Sequence, residues 1–144
     1  FSCALAPAQV EAARSALRLV AREPWRRERL AANCDRLRLR LAAHGISTAP
    51  STTHILPVVI GENAPTMAVC EALLERGYYA QGIRHPSVPR GTARLRITPM
   101  ATHASSEIDG LADAIAETLS AHRAVGGPND ASDATRSTDA SDPA

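Results

Sequence analysis

With 144 residues, the chain is long enough for one domain of ordinary size or for a small domain with appendages. Hydrophobic residues make up 44% of it but aromatics only 3%, so alanine fills much of that share and the core is expected to be thin, built on Leu, Ile and Val. A net charge of +1 provides no global field pointing to nucleic acid or a membrane surface, and no apolar run nears bilayer length.

No signal peptide is visible, so a soluble cytoplasmic protein is expected. Cys3, Cys34 and Cys70 are odd in number and widely spaced, which suits reduced, mostly buried thiols better than a disulfide framework. The five histidines show no metal-ligand spacing, and no metal site is expected. All sixteen basic residues are arginine. Chemistry that needs a lysine amine, such as a Schiff base, cannot be completed by this chain.

In chain order, "FSCALAPAQ" reads as the end of a strand running into a helix, with Pro7 in its first turn. Val10, Ala13, Leu17 and Val20 form one stripe at spacings of three and four, and Pro24 interrupts the helix near Glu23. "WRRERLAANCDRLRLRLAAHG" reads as a long helix with Leu30, Cys34, Leu37 and Leu41 on its apolar face and Gly45 at C′. Seven arginines lie between Arg22 and Arg40, but Glu23, Glu28 and Asp35 interleave with them and Trp25 is the only aromatic for stacking. A solvated amphipathic face is the expectation there.

"STTHILPVVIG" reads as a buried strand in which Pro57 implies an edge or a bulge. "ENAPTMAVCEALLERG" reads as a helix capped by Asn63, with Val69, Cys70, Leu73 and Leu74 facing the core and Gly77 ending it. "YYAQGI" is a second strand. The loop "RHPSVPRG" is stiffened by Pro86 and Pro89 and leads into a third strand, "ARLRIT". Ser105 or Ser106 opens a last helix, with Glu107 and Asp109 in its first turn and a stripe of Ile108, Leu111, Ile115 and Leu119. Beyond Arg123 the chain is rich in Gly, Pro, Ser and Asp and is expected to be disordered. The order β-α-β-β-α over residues 46–122 predicts a small α+β domain, an antiparallel sheet with helices packed on one face, preceded by two helices.

Alternation within "ARLRIT" places Leu95 and Ile97 on the core face and Arg94, Arg96 and Thr98 on the other. A guanidinium is planar, permanently charged and able to grip a carboxylate with two parallel hydrogen bonds. A rigid approach loop is worthwhile if a planar anion must be held in one orientation. The alternative is an ordinary amphipathic strand with its arginines in water.

"GYYAQGIRHPSVPRGTARLRITPMATH" resembles the C-terminal signature of the α-oxoamine synthases, and among them the 8-amino-7-oxononanoate synthase family. The resemblance extends from "FSCALAPAQ" to "SSEIDGLADAI" and so covers nearly everything before the tail. It implies an α/β architecture: the C-terminal domain of a fold-type I, pyridoxal-phosphate-dependent transferase. Residues 1–23 would then be a remnant of the large cofactor-binding domain, 24–45 a connecting helix, 46–122 the C-terminal small domain and 123–144 a tail. The implied reaction condenses an amino acid, L-alanine by implication, with pimeloyl-CoA or a carrier-bound pimeloyl group in biotin biosynthesis, releasing carbon dioxide and thiol. The implied assembly is a homodimer.

By the same resemblance, Arg96 binds the amino-acid carboxylate and Ser87, the hydroxyl residue of the family's "PPTVP" loop, contacts substrate. His85 replaces a proline of that loop and Ser87 a threonine. Ser2 retains one of two hydroxyls that lie near the cofactor phosphate across the dimer interface, while Cys3 replaces the other. The family's imine lysine, the aspartate facing the pyridine nitrogen and the histidine stacking on the ring all lie upstream of "FSCALAP". No catalytic residue is therefore expected in this chain, and alone it should be inactive. The rivals are a sister enzyme such as 5-aminolevulinate synthase or 2-amino-3-ketobutyrate ligase, and a non-catalytic α+β module that binds anions or partner proteins. A self-sufficient module would be a stable monomer. The C-terminal part of an enzyme would expose the apolar face of helix 7–23.

Overall fold

The computed structural model describes residues 4–125, with side chains as far as His122. Ser2, Cys3 and the polar tail from residue 126 lie outside the described residues. Helix α1 runs Pro7–Arg22 and α2 runs Trp25–Ala43. Pro24 lacks an amide proton and cannot extend the first ladder, which ends with the Glu23 amide donating to Leu19 O at 2.9 Å. Arg26 reaches back to Glu23 (Nε–Oε2 2.6 Å) and Arg27 donates to Val20 O at 2.5 Å, which fixes the corner between the two helices.

The rest follows the expected order: β1 (Leu56–Gly61), α3 (Asn63–Glu75), β2 (Gln81–Ile83), β3 (Ala93–Ile97) and α4 (Ser105–Val125). The sheet is antiparallel in the order β1-β3-β2, so the arginine strand is central. Pro57 has no ladder donor, and it sits on edge strand β1, where the register also shifts between Val59 and Gly61. Gly45 and Gly77 take positive φ (72° and 85°) at the ends of α2 and α3. There the amides of Ile46 and Tyr78 reach back to the carbonyls of Leu41 and Leu73, both at 2.9 Å, closing two Schellman motifs.

One core holds the elements together. Leu56, Val58, Leu95 and Ile97 from the sheet meet Val69 and Leu73 of α3, Ile108, Ala112 and Ile115 of α4, and Cys34, Leu37 and Leu41 of α2. Each fully buried Leu or Ile contributes about 1.5–3 kcal/mol. The helix expected as a connection therefore shares the core of residues 46–122. Gly82 lets α3 lie close on β2: a Cβ there would come within 3.0 Å of Cys70 Sγ and 3.1 Å of Met67 Sδ.

Several local expectations are corrected. The strand read over 51–61 begins only at Leu56, because Ser51 and Thr53 fold the preceding residues into a loop; Ser51 Oγ donates to Ile55 O at 2.5 Å. The strand read over 78–83 shrinks to three residues. Asn63 does not cap α3; Glu62 is the N-cap residue, and Asn63 Oδ1 instead accepts the His85 amide at 3.3 Å. Leu74 is exposed. Its place in the core is taken by Thr66, whose hydroxyl donates to Glu62 O at 2.7 Å.

The α2 face that carries the arginines is partly exposed, as expected, and two of them also reach across to α4. Arg36 grips Asp109 through two bonds (2.7 and 2.5 Å), Arg40 meets Asp113 at 2.8 Å, and His44 Nε2 lies 3.0 Å from Asp113. Asp109 and Asp113 are one helical turn apart on α4, so an acidic stripe receives a basic one. The Arg36 guanidinium holds the Asp109 carboxyl below the usual aspartate range, with Arg40 adding to the effect. Among the described residues, no helix is long and apolar enough to cross a membrane.

Candidate functional site

Helices cover only one side of the sheet. On β3, Ala93, Leu95 and Ile97 are buried under them, while Arg96 is exposed on the opposite side and Arg94 partly so. Antiparallel pairing then sets the neighbours. Pro57 and Gln81 flank Arg96 from the two edge strands, and Val59 and Ile83 flank Arg94. The two arginines differ in their local contacts. Arg94 Nε donates to Thr92 O at 2.9 Å, which turns part of its fork back onto its own strand. Among the described residues, the Arg96 guanidinium has no carboxylate within 4.0 Å and no side-chain hydrogen bond, unlike Arg36, Arg38, Arg40 and Arg76.

Arg96 stands between two hollows. One, of about 420 Å³, has Pro50, Ile55, Pro57 and Ile83 for walls, with Arg94 and Arg96 on the sheet side. The other, of about 190 Å³, is polar and lined by Tyr79, Gln81, Arg96 and Thr98. The loop that walls the first is tied to α2, because Arg38 donates to Thr53 O. Such a setting has room for a planar anion against the guanidinium fork, with an apolar bed beside it.

The loop before β3 is built as its sequence suggests. The Ser87 amide donates to Arg84 O at 2.9 Å, Thr92 Oγ1 donates to Pro89 O at 2.7 Å, and the tie from His85 to Asn63 anchors the loop to α3. Ser87 is exposed at the loop tip and lines neither hollow, so the structure does not bring it together with Arg96 around one cavity. Ser2 lies outside the described residues. Alternation in sequence put Thr98 on the Arg96 side, where it lines the polar hollow. Gln81, Tyr79 and the wall from Pro50 to Ile55 were not foreseen, since pairing between strands brings them in.

Among the described residues, neither thiol nor metal chemistry competes for the site. Burial pushes both the Cys34 and Cys70 thiols up, the first partly offset by Arg38 and the second reinforced by Glu71, so neither is an activated nucleophile. Among the described residues, no group of three or more His, Cys, Asp or Glu side chains is placed to hold a metal ion.

Comparison with known proteins bears on the fold and the family. An 8-amino-7-oxononanoate synthase of Anaeromyxobacter dehalogenans is 46% identical over 119 residues, which are 83% of this chain and 30% of that protein. The chain thus spans less than a third of the length of this curated relative. Among solved structures, the serine palmitoyltransferase of S. paucimobilis superposes with a TM-score of 0.76 at 28% identity, over 84% of this chain and 31% of that one. An 8-amino-7-oxononanoate synthase of Francisella tularensis shares the fold at 17% identity, with a TM-score of 0.73 over 85% of this chain and 36% of that one. The family model for aminotransferase class I and II matches residues 1–115, and with four-fifths of its residues inside that match the chain belongs to the class I and II aminotransferase family.

Proposed function

We propose that this chain is the substrate-gripping C-terminal part of a pyridoxal-phosphate-dependent acyltransferase of the 8-amino-7-oxononanoate synthase kind. The complete protein would condense L-alanine with a pimeloyl thioester, giving 8-amino-7-oxononanoate, carbon dioxide and free thiol for biotin formation, and would work as a homodimer in the cytoplasm. In this reading, residues 1–23 belong to the large domain, 46–122 form the small domain, and the connecting helix of 24–45 packs into the small domain's core. The observation that carries it is the ion-pair-free guanidinium of Arg96, raised on the central strand's open face.

The residues present fit the substrate side of such a centre and not its cofactor side. The chain has no lysine with which to bind pyridoxal phosphate covalently. No step through the cofactor is therefore assigned to these residues. Their own contribution is orientation. A guanidinium that takes both carboxylate oxygens fixes how the amino acid is turned, and thereby which bond at its α-carbon faces the reacting partner. Losing the solvent-filled freedom of that rotation is worth several powers of ten in well-oriented systems, of which Arg96 supplies a share. Ser87, at the tip of the anchored loop, would contact substrate from outside the two hollows that Arg96 lines. Ser2 would lie near the cofactor phosphate of the partner subunit.

The test is Arg96→Ala in the complete protein. A charge-assisted hydrogen bond is worth about 1.5–3 kcal/mol, so kcat/KM for L-alanine should fall about ten- to hundred-fold. Arg96→Lys should recover only part of the loss, because an ammonium cannot reproduce the fork. Unaltered alanine kinetics in Arg96→Ala would sink the assignment. This chain alone, mixed with pyridoxal phosphate, should show no absorbance beyond that of the free cofactor.

A further inference from the structure

Arg96 has two cross-strand neighbours of opposite character: Pro57 on β1, which has no donor, and Gln81 on β2, which carries a carboxamide. Directly opposed side chains on one sheet face have Cβ atoms about 4.5–5.5 Å apart, so the Gln81 carboxamide reaches the space in front of the guanidinium. Both residues line the same polar hollow with Tyr79 and Thr98, whereas the hollow on the other side is walled by Pro50, Ile55, Pro57 and Ile83. Gln81 is exposed on an edge strand, and among the described residues its side chain makes no hydrogen bond. A carboxylate accepts at about four lone-pair positions, and a guanidinium fork covers two.

We propose that Gln81 is a second substrate-positioning residue, donating from its carboxamide to the carboxylate that Arg96 holds and setting the polar end of the site. This rests on the reading of Arg96 given above and adds a second donor to the same carboxylate. The ligand lies with its carboxylate toward Gln81, Tyr79 and Thr98, and its apolar portion toward Ile55, Pro57 and Ile83. The carboxylate thus sits at the polar end, and the rest of the amino acid lies beside these walls, with Arg94 on their sheet side.

Two substitutions in the complete protein test it. Gln81→Glu places a carboxylate beside Arg96, where it occupies the fork and repels the substrate anion. The KM for L-alanine should rise about ten-fold or more. The melting temperature should hold or increase, since an opposite-charge cross-strand pair is favourable in a sheet. Gln81→Leu keeps the bulk and removes the donor, and should raise KM about three- to ten-fold with kcat nearly unchanged. A merely solvated edge glutamine predicts parental KM in Gln81→Leu, whatever the introduced charge does in Gln81→Glu. That result, obtained while Arg96→Ala is impaired, overturns the inference and leaves the proposed function standing. Parental kinetics in Arg96→Ala overturns both.

Discussion

Helices α1 and α4 carry nearly the same apolar pattern and meet opposite fates. In α1 the stripe is Val10, Ala13, Leu17 and Val20; in α4 it is Ile108, Leu111, Ile115 and Leu119. Ile108 and Ile115 are 1% and 0% exposed, while Val10, Leu17 and Val20 remain 48%, 70% and 54% exposed, and α1 buries no residue at all. A stripe at helical spacing records that a helix favours an apolar partner, without saying which polypeptide segment provides it. For α4 the partners are α2, α3 and the sheet. For α1, on the proposed function, the partner is the large domain of the complete protein.

The sharpest way to break this contrast is at the bottom of the core. Ile115→Ala should cost about 2–5 kcal/mol, because the lost transfer energy is joined by a cavity in the buried cluster that the packed surroundings cannot close. Urea denaturation of the chain, read as a shift in midpoint at constant slope, measures it. A cost below about 1 kcal/mol would mean that α4 is no better packed than α1, and the contrast would be lost.

A smaller effect separates the two helices electrostatically. The charges of α1 pair only locally and in water, as Arg14 and Arg18 do with Glu11 at 3.6 and 3.7 Å. Those of α4 tie it to α2, with Asp109 clasped by Arg36. The folded-state pKa of Asp109 is depressed, chiefly by its hydrogen bond to Arg36. Its contribution is therefore complete above the ordinary aspartate pKa of about 4 and is lost as pH falls through the lower folded value. Asp109→Asn should be less stable than the parent near neutral pH, with the difference shrinking as pH falls below the ordinary aspartate range and the parent carboxylate takes up its proton. High salt should shrink it too. A difference independent of pH and salt would show that the pair adds nothing electrostatic.

How much of this was legible in the sequence follows the same division. Local chemistry was readable: the glycines that end α2 and α3, the proline that forces β1 to the edge, and the alternation that puts Arg96 opposite Leu95. These depend on a residue and its immediate neighbours. What went unread depends on partners distant in sequence. Asn33 looks out of place in the middle of a helix, yet it is buried because its amide donates to the carbonyls of Met100 and His103 at 2.9 and 3.1 Å. Leu74 looked like core and is exposed, since α3 turns Thr66, Val69 and Leu73 inward. Arg36 and Arg40 of α2 carried no sign of their partners, because Asp109 and Asp113 lie seventy-three residues away. The candidate site divides in the same manner. Arg96 was found from its own strand, and Gln81 was not, because only sheet register sets it opposite.

The mildest perturbation bears most directly on what α1 is for. Leu17 is largely exposed in this chain, so Leu17→Ser removes no buried contact and should shift stability by less than about 0.5 kcal/mol here. In the complete protein, the same change would strip a leucine from an interface and cost about 1.5–3 kcal/mol if that residue is fully covered there. Apolar dye binding should run the other way. This chain should bind such a dye, Leu17→Ser should bind it less, and the complete protein should bind little with either residue. An equal, negligible cost in both settings would mean that nothing covers this face. The stripe on α1 would then be an accident of composition in an alanine- and leucine-rich helix, and the assignment of residues 1–23 to a larger domain would lose its physical support.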